Sequence, residues 1–300
     1  MTADRPSEDD LIARYFAPLA GSGGLGLRDD AALLAPPEGC EIVLTVDGLV
    51  GGVHFFASDP PETIARKALR VNLSDLAAKG SPPLGFLLTL ALPRDWKPDW
   101  LELFAKGLGE DAASFACPLL GGDTVSTSGP LTLSITALGS VPTGRMVPRD
   151  GAREGDALYV SGTIGDAALG LRVRAACLPA QGEPAGPESG AAFLLDRYLV
   201  PQPRSALAAA LRDHASGAMD VSDGLVGDLT KMMRVSGASA EVDIDRVPLS
   251  EAARATIAGD AQQKILMLPK VEDASVEIVW DPPWHQSMIT PQGRRLLGIE

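Results

Sequence analysis

Cysteine is scarce in this chain, with only Cys40, Cys117 and Cys177 among 300 residues. An odd number without metal-type spacing argues against a disulfide frame or a zinc site, and points to reduced cytoplasmic thiols. Positive charge is short as well. Lys plus Arg total 26 against 39 Asp plus Glu, a net charge of −13. That balance argues against nonspecific nucleic-acid binding and against an anionic membrane surface. No uninterrupted apolar run reaches membrane-spanning length. The polar, acidic start MTADRPSEDD does not read as a signal peptide. The chain has no Walker-type glycine loop, no protein-kinase motif set, no Gly-x-Ser-x-Gly elbow and no His-Glu-x-x-His helix. A nucleotide enzyme built on it would anchor phosphates through acidic residues and metal.

Acidic residues are what the chain has instead. Seven short motifs carry them: Asp29-Asp30, Thr45-Val46-Asp47, Asn72-Leu73-Ser74-Asp75, Gly121-Gly122-Asp123-Thr124, Arg149-Asp150-Gly151, Ser161-Gly162-Thr163-Ile164-Gly165-Asp166 and Asp220-Val221-Ser222-Asp223-Gly224. Most are expected where a strand ends, so that the carboxylate projects into a cleft. Such carboxylates suit hard divalent cations, and Mg²⁺ in particular is held by one or two of them together with substrate phosphates.

The pattern along the chain alternates strands and helices. Residues 10–16 read as a short amphipathic helix and 21–26 as a glycine-rich break. Residues 40–46 (CEIVLTV) read as a strand ended by Asp47-Gly48. Helical periodicity over 61–79 puts Ile64, Ala65, Ala68, Leu69 and Leu73 on one face. Strands are expected over 84–92, 118–120 and 131–141, and a helix over 100–116. Beyond Gly151, strands are expected at 157–161, 218–221 and 240–244. Helices are expected at 167–176, 191–198 and 224–236, and residues 178–190, rich in Pro, Gly and Glu, read as a mobile loop. The class is α/β with two domains, divided as 1–148, 149–260 and an atypical tail over 261–300.

Each motif also has an ordinary reading. Asp29-Asp30 and Asp47-Gly48 are good turn formers. Asp75 suits a helix surface, with Ser74 capping a further turn. In Gly121-Gly122-Asp123-Thr124 the glycines let the backbone approach a phosphate or metal closely, although a hairpin turn fits too. Ser222 or Asp223 suits an N-cap. In the functional alternative, free amides of the helix start face a phosphate and the carboxylates hold Mg²⁺. A lone histidine such as His54 is more often packed than catalytic, but the glycines before it let it reach a ligand. Arg149 reads as surface charge or as a phosphate clamp.

Taken in order, the segments LIARYFAPLA, DDAALL, TVDGLVGGVHF, ARKALRVNLSDLAAKG, LLGGDT, MVPRDGAREGD, LYVSGTIGDAALGL and AMDVSDGLVGDL resemble the thiamine-monophosphate kinase family. That family lies within the aminoimidazole ribonucleotide synthetase-like superfamily. The resemblance implies a two-domain α/β (α+β) fold whose N-terminal mixed sheet pairs with its twin in a homodimer. It implies several Mg²⁺ ions held by Asp30, Thr45, Asp47, Asp75, Asp123 and Asp220, with Asp223 a further candidate. Gly122, Asp123, Arg149 and Ser222 match ATP-contacting positions, and His54 a position that contacts thiamine phosphate. The implied reaction takes ATP and thiamine monophosphate to ADP and thiamine diphosphate. The acceptor is already ionised, so positioning and charge neutralisation suffice, without a strong general base.

Two departures stand beside the resemblance. Arg28 precedes the aspartate pair where the family often carries glycine. The motifs stop near Gly259, which implies an incomplete C-terminal domain. The stretch VEIVWDPPW with the later LLGIE resembles the end of small iron–sulfur assembly domains of the MIP18 kind. Residues 276–280 alternate as a strand would, and could fill an edge left open by the absent segment. Two competing readings follow: a related synthetase acting on another acceptor, and a nucleotide-binding homologue without turnover.

Overall fold

The computed structural model describes residues 7–176 and 189–268, with residues 271, 273–276, 291 and 295. Cys177, the expected 178–190 loop up to residue 188, and the tail from residue 277 onward, residues 291 and 295 excepted, lie outside them. The strands are β1 (Cys40–Val50), β2 (Pro83–Pro93), β3 (Leu119–Thr127) and β4 (Thr132–Pro142). The α-helices are α1 (Glu8–Leu11), α2 (Pro61–Ala78), α3 (Pro98–Ser114), α4 (Asp166–Ala176), α5 (Gly190–Leu199), α6 (Ala208–His214), α7 (Leu225–Ser236) and α8 (Glu251–Leu266). Contacts divide the chain into two compact units. One is Met1–Ser161 with Asp196–Ala240, and the other is Gly162–Leu195 with Glu241–Glu300.

The first unit is built on a mixed sheet in the order β1-β4-β2-β3. β4 runs antiparallel to both neighbours, and β2 pairs parallel with β3. Parallel pairing needs a crossover, and α3 supplies it. The apolar face expected on α2 is the one buried: Ile64, Ala65, Ala68, Leu69 and Leu73 are all fully or almost fully enclosed. They pack with Leu101, Phe104 and Leu108 of α3 on Phe86, Leu88 and Leu90 of β2 and Leu133 and Ile135 of β4. Arg70 of α2 and Asp111 of α3 lock the layer. The guanidinium grips the carboxylate at Nε–Oδ2 2.5 Å and Nη2–Oδ1 2.8 Å, largely out of solvent.

The other side of the sheet is uncovered among the described residues. Leu44 and Val46 of β1 are 63% and 61% exposed, and Leu87 and Val125 are also exposed. Strand alternation puts Val43, Thr45, Asp47 and Leu49 on the opposite, helix-covered side.

In the second unit, Asp166 at the start of α4 is buried and accepts the Ser250 hydroxyl at 2.5 Å and that of Thr163. Ser250 in turn caps α8 by accepting Ala253 N–H at 3.0 Å. The Ser161–Asp166 motif therefore serves the fold, joining two helix starts.

Three expectations are corrected. β1 does not end at Asp47-Gly48 but runs on to Val50, because β4 pairs along its whole length and the Ser134 hydroxyl donates to Asp47 O at 3.1 Å. β3 likewise runs through Gly121–Thr124 instead of turning there. The segments 157–161, 218–221 and 240–244 find no ladder partner among the described residues. Tyr159 of the first is 89% exposed, so strand propensity there has no half-buried surface to act on.

Candidate active site

Four of the expected residues converge where β1, α2 and the Asp220 loop meet. Alternation aims Thr45 and Asp47 at α2, and Asp75 lies on the last turn of that helix. The Thr45 hydroxyl donates to Asp75 Oδ2 at 2.6 Å. A hydrogen-bonded stitch brings Asp220 alongside. Val147 N–H donates to Lys79 O at 3.2 Å, Ala218 N–H to Pro148 O at 2.9 Å, and Lys79 Nζ to Ala218 O at 2.8 Å. Gly151 is required here, since a Cβ on it would overlap Ser216 O.

Crowded carboxylates resist ionisation. Burial pushes the Asp220 carboxyl up to about 6 from 3.8, with Asp75 adding repulsion and the Ser74 hydroxyl opposing it. Asp47 is raised by burial and then by Asp75, and the nearby His54 pulls it back.

The donors gathered here are all hard oxygens, the set that Mg²⁺ prefers. Among the described residues, no three His, Cys, Asp or Glu side chains form a ready metal cage. A Mg²⁺ ion that keeps water and arrives with substrate phosphates needs none. Thr45, Asp47, Asp75 and Asp220 therefore fit the ion.

The remaining expected residues stand elsewhere. Asp30 is exposed in a bend after the glycine-rich turn. Asp123 is exposed on β3, the far edge of the sheet. It is in register with Thr89, which pairs with Ser134, the partner of Gly48. Asp123 thus lies on the face opposite Asp47. Gly122 has a purely local reason, because a Cβ would overlap Leu88 O of β2.

Asp223 is held by Lys231, Nζ to Oδ2 at 2.6 Å, and neither Ser222 nor Asp223 caps α7 by its side chain. Asp228, buried inside α7, accepts Ser222 N–H at 2.9 Å and Asp223 N–H at 2.8 Å, and pairs with Lys231 at 2.9 Å. It fixes the loop that carries Asp220. Arg149 is exposed and its guanidinium forms no ion pair among the described residues.

His54 is exposed, and its Nδ1 accepts Val50 N–H at 3.0 Å. Its neutral form therefore carries the proton on Nε2. Under its loop lies Lys67, a buried lysine on the apolar side of α2. The ammonium sits 3.6 Å from the Tyr198 ring centre and 3.5 Å from His54 O. Burial lowers it to about 8, opposed by Asp59. Asp59, itself buried, accepts Phe56 N–H at 3.0 Å. Lys67, Asp228 and Lys79 all escaped notice as sequence. The signals for two were there: a lysine inside an apolar helical stripe, and a lysine four residues after Asp75.

Comparison with known proteins defines the class first. Residues 28–141 match the model of the AIR synthase related protein N-terminal domain, and residues 153–278 that of its C-terminal domain. The second match runs past Gly259, where the recognisable motifs end. The chain is 43% identical over 282 residues to the thiamine-monophosphate kinase of Caulobacter vibrioides, covering 92% of this chain and 78% of that one. A crystal structure of thiamine-monophosphate kinase from Stenotrophomonas maltophilia K279a superposes with TM-score 0.71 at 41% identity, over 78% of this chain and 73% of that one. A structure of AaThiL complexed with AMPPCP and TMP superposes with TM-score 0.67 at 32% identity, over 84% and 78%. The chain belongs to the thiamine-monophosphate kinase family.

Proposed function

We infer that this chain transfers the γ-phosphoryl group of ATP to thiamine monophosphate, giving ADP and thiamine diphosphate. The observation that carries the reading is the family match, 43% identity across 92% of the chain. The gathered oxygens of Thr45, Asp47, Asp75 and Asp220 support it chemically. Two anions must meet, and Mg²⁺ bound there would neutralise phosphate charge. The Nε2–H of His54 is turned away from its own backbone bond and is available to donate to the acceptor phosphate. The Lys67–Asp59 cluster holds that loop. Asp30, Asp123 and Asp223 remain proposed ligands on the resemblance alone, as do Gly122, Arg149 and Ser222 as ATP contacts.

A homodimer is part of the reading. Its support is the uncovered sheet face with Leu44, Val46, Leu87 and Val125, since exposed contiguous apolar surface marks an interface. A cytoplasmic location rests on the free thiols of Cys40 and Cys117. Among the described residues, no helix is long and apolar enough to cross a membrane.

One observation favours a rival, a nucleotide-binding homologue without turnover: the segments 157–161, 218–221 and 240–244 have no ladder partner among the described residues. Chromatographic assay of the full chain with ATP, Mg²⁺ and thiamine monophosphate separates the two. Thiamine diphosphate supports the kinase, and ATP binding without product supports the rival.

A further inference from the structure

Lys67 is 7% exposed and stands in the buried stripe of α2 with Ile64, Ala65 and Ala68. A buried ammonium loses hydration at a cost of several kcal/mol, and a methionine would fill the same space without that cost. What the cation does there follows from what it touches. It donates to His54 O at 3.5 Å, lies 3.6 Å from the centre of the Tyr198 ring, and is attracted by the buried Asp59 carboxylate.

These contacts converge on the loop that carries His54. On its near side the loop hangs from β1: Val50 O accepts His54 N–H at 2.9 Å and Val53 N–H at 3.1 Å, and Phe55 is buried in the core. On its far side, Phe56 N–H donates to Asp59 at 3.0 Å, and the Phe56 ring meets Tyr198 edge-on at 6.3 Å. The Tyr198 segment is fixed to the same helix. Arg70, one turn beyond Lys67, donates to Pro201 O at 3.2 Å. The backbone of His54 is thus gripped twice, its N–H by β1 and its carbonyl by α2. A residue has two soft backbone dihedrals. The first grip sets φ and the second sets ψ, so the Lys67 contact settles the direction in which the imidazole leaves the chain.

We propose that Lys67 is a positioning residue for the acceptor: by holding the His54 carbonyl from inside the fold, it fixes where the imidazole Nε2–H meets the phosphate of thiamine monophosphate. The role rests on the kinase reading above, with His54 as the acceptor contact. A donor held in place before binding loses less freedom when the phosphate arrives. The effect therefore falls on acceptor affinity, and leaves the nucleotide and the transfer step alone.

Steady-state kinetics of the full chain, with each substrate varied in turn, test this. Lys67→Met removes the donor and takes the counter-charge from buried Asp59. Lys67→Met/Asp59→Asn removes both charges and keeps an oxygen for Phe56 N–H. The expected result in both variants is a KM for thiamine monophosphate raised about tenfold, with kcat and the KM for ATP within about twofold of wild type. The thermal midpoint of the double variant is expected close to wild type. In a His54→Ala background the same changes are expected to add nothing, because the group they position is gone. An unchanged KM for thiamine monophosphate in the double variant would overturn the proposal. So would a change shared by kcat and both KM values, or a further loss on top of His54→Ala. Wild-type protein that forms no thiamine diphosphate would instead overturn the kinase reading, and the positioning role with it.

Discussion

Asp220 carries the most consequential side chain of the site, because it must be ionised to ligate yet resists ionisation. Its carboxyl is raised to about 6 from 3.8, so the folded chain takes up a proton between those values. The metal-free protein therefore loses stability as pH rises through that window. Asparagine carries no such charge. Asp220→Asn is expected to be more stable than wild type at pH 7 without metal, by about 1 kcal/mol after screening, with the advantage gone near pH 4. The same variant should lose about 100-fold or more of turnover. Urea unfolding at both pH values and initial rates check this. A destabilised or fully active variant contradicts it. At this scale the sequence was only partly legible. The family resemblance set Thr45, Asp47, Asp75 and Asp220 in one expected ligand group with Asp30, Asp123 and Asp223, and only the fold separates the first four from the rest. The sequence could not show that Asp123 faces the other side of the sheet, since facing depends on strand register. Nor could it show that Lys231 already holds Asp223, since that pairing depends on where the loop turns back on α7.

The elements follow from periodicity wherever one face is buried against another. α2 and α3 were legible because their apolar stripes repeat at helical spacing, β2 because it is a mostly apolar run closed by Pro93, and β4 because its residues alternate up to Pro142. β1 and β3 were read too short. Gly-containing acidic dipeptides look like turns, and only the ladder shows that pairing overrides them. The tie between α2 and α3 is the Arg70–Asp111 pair. Asp111→Ala would leave the Arg70 guanidinium buried beside an empty site, and should cost about 3–5 kcal/mol. Chemical denaturation measures it. A loss below about 1 kcal/mol would show that solvent reaches the pair and that apolar contacts and the more exposed Arg66–Glu110 pair hold the layer. Asp228 is the corresponding tie for the Asp220 loop, and it was invisible in sequence because a buried carboxylate and an exposed one look alike on a helix.

Among the described residues, the first unit presents a sheet with one side packed and the other open. In the proposed homodimer a second copy would cover Leu44 and Val46, which are exposed in one chain. Val46→Glu places a charge on that face, along its β1 edge. It should convert a dimer to a monomer in sedimentation analysis while leaving the far-UV circular dichroism unchanged, since Val46 contributes little to the monomer's core. A wild-type chain that sediments as a monomer would remove this role from the face. The second half was the least legible part. Helices α4, α5 and α7 were read from their patterns, whereas α8 was missed because no motif announces it and its apolar residues do not form a strong stripe. The strands expected between them depended on partners that a linear reading cannot supply. The measurement closest to the central claim follows label from γ-³²P ATP in the full chain with Mg²⁺ and thiamine monophosphate. Label appearing in thiamine diphosphate, and lost in Asp47→Asn, is the predicted result. Label found only in inorganic phosphate, or equal transfer in Asp47→Asn, would contradict it.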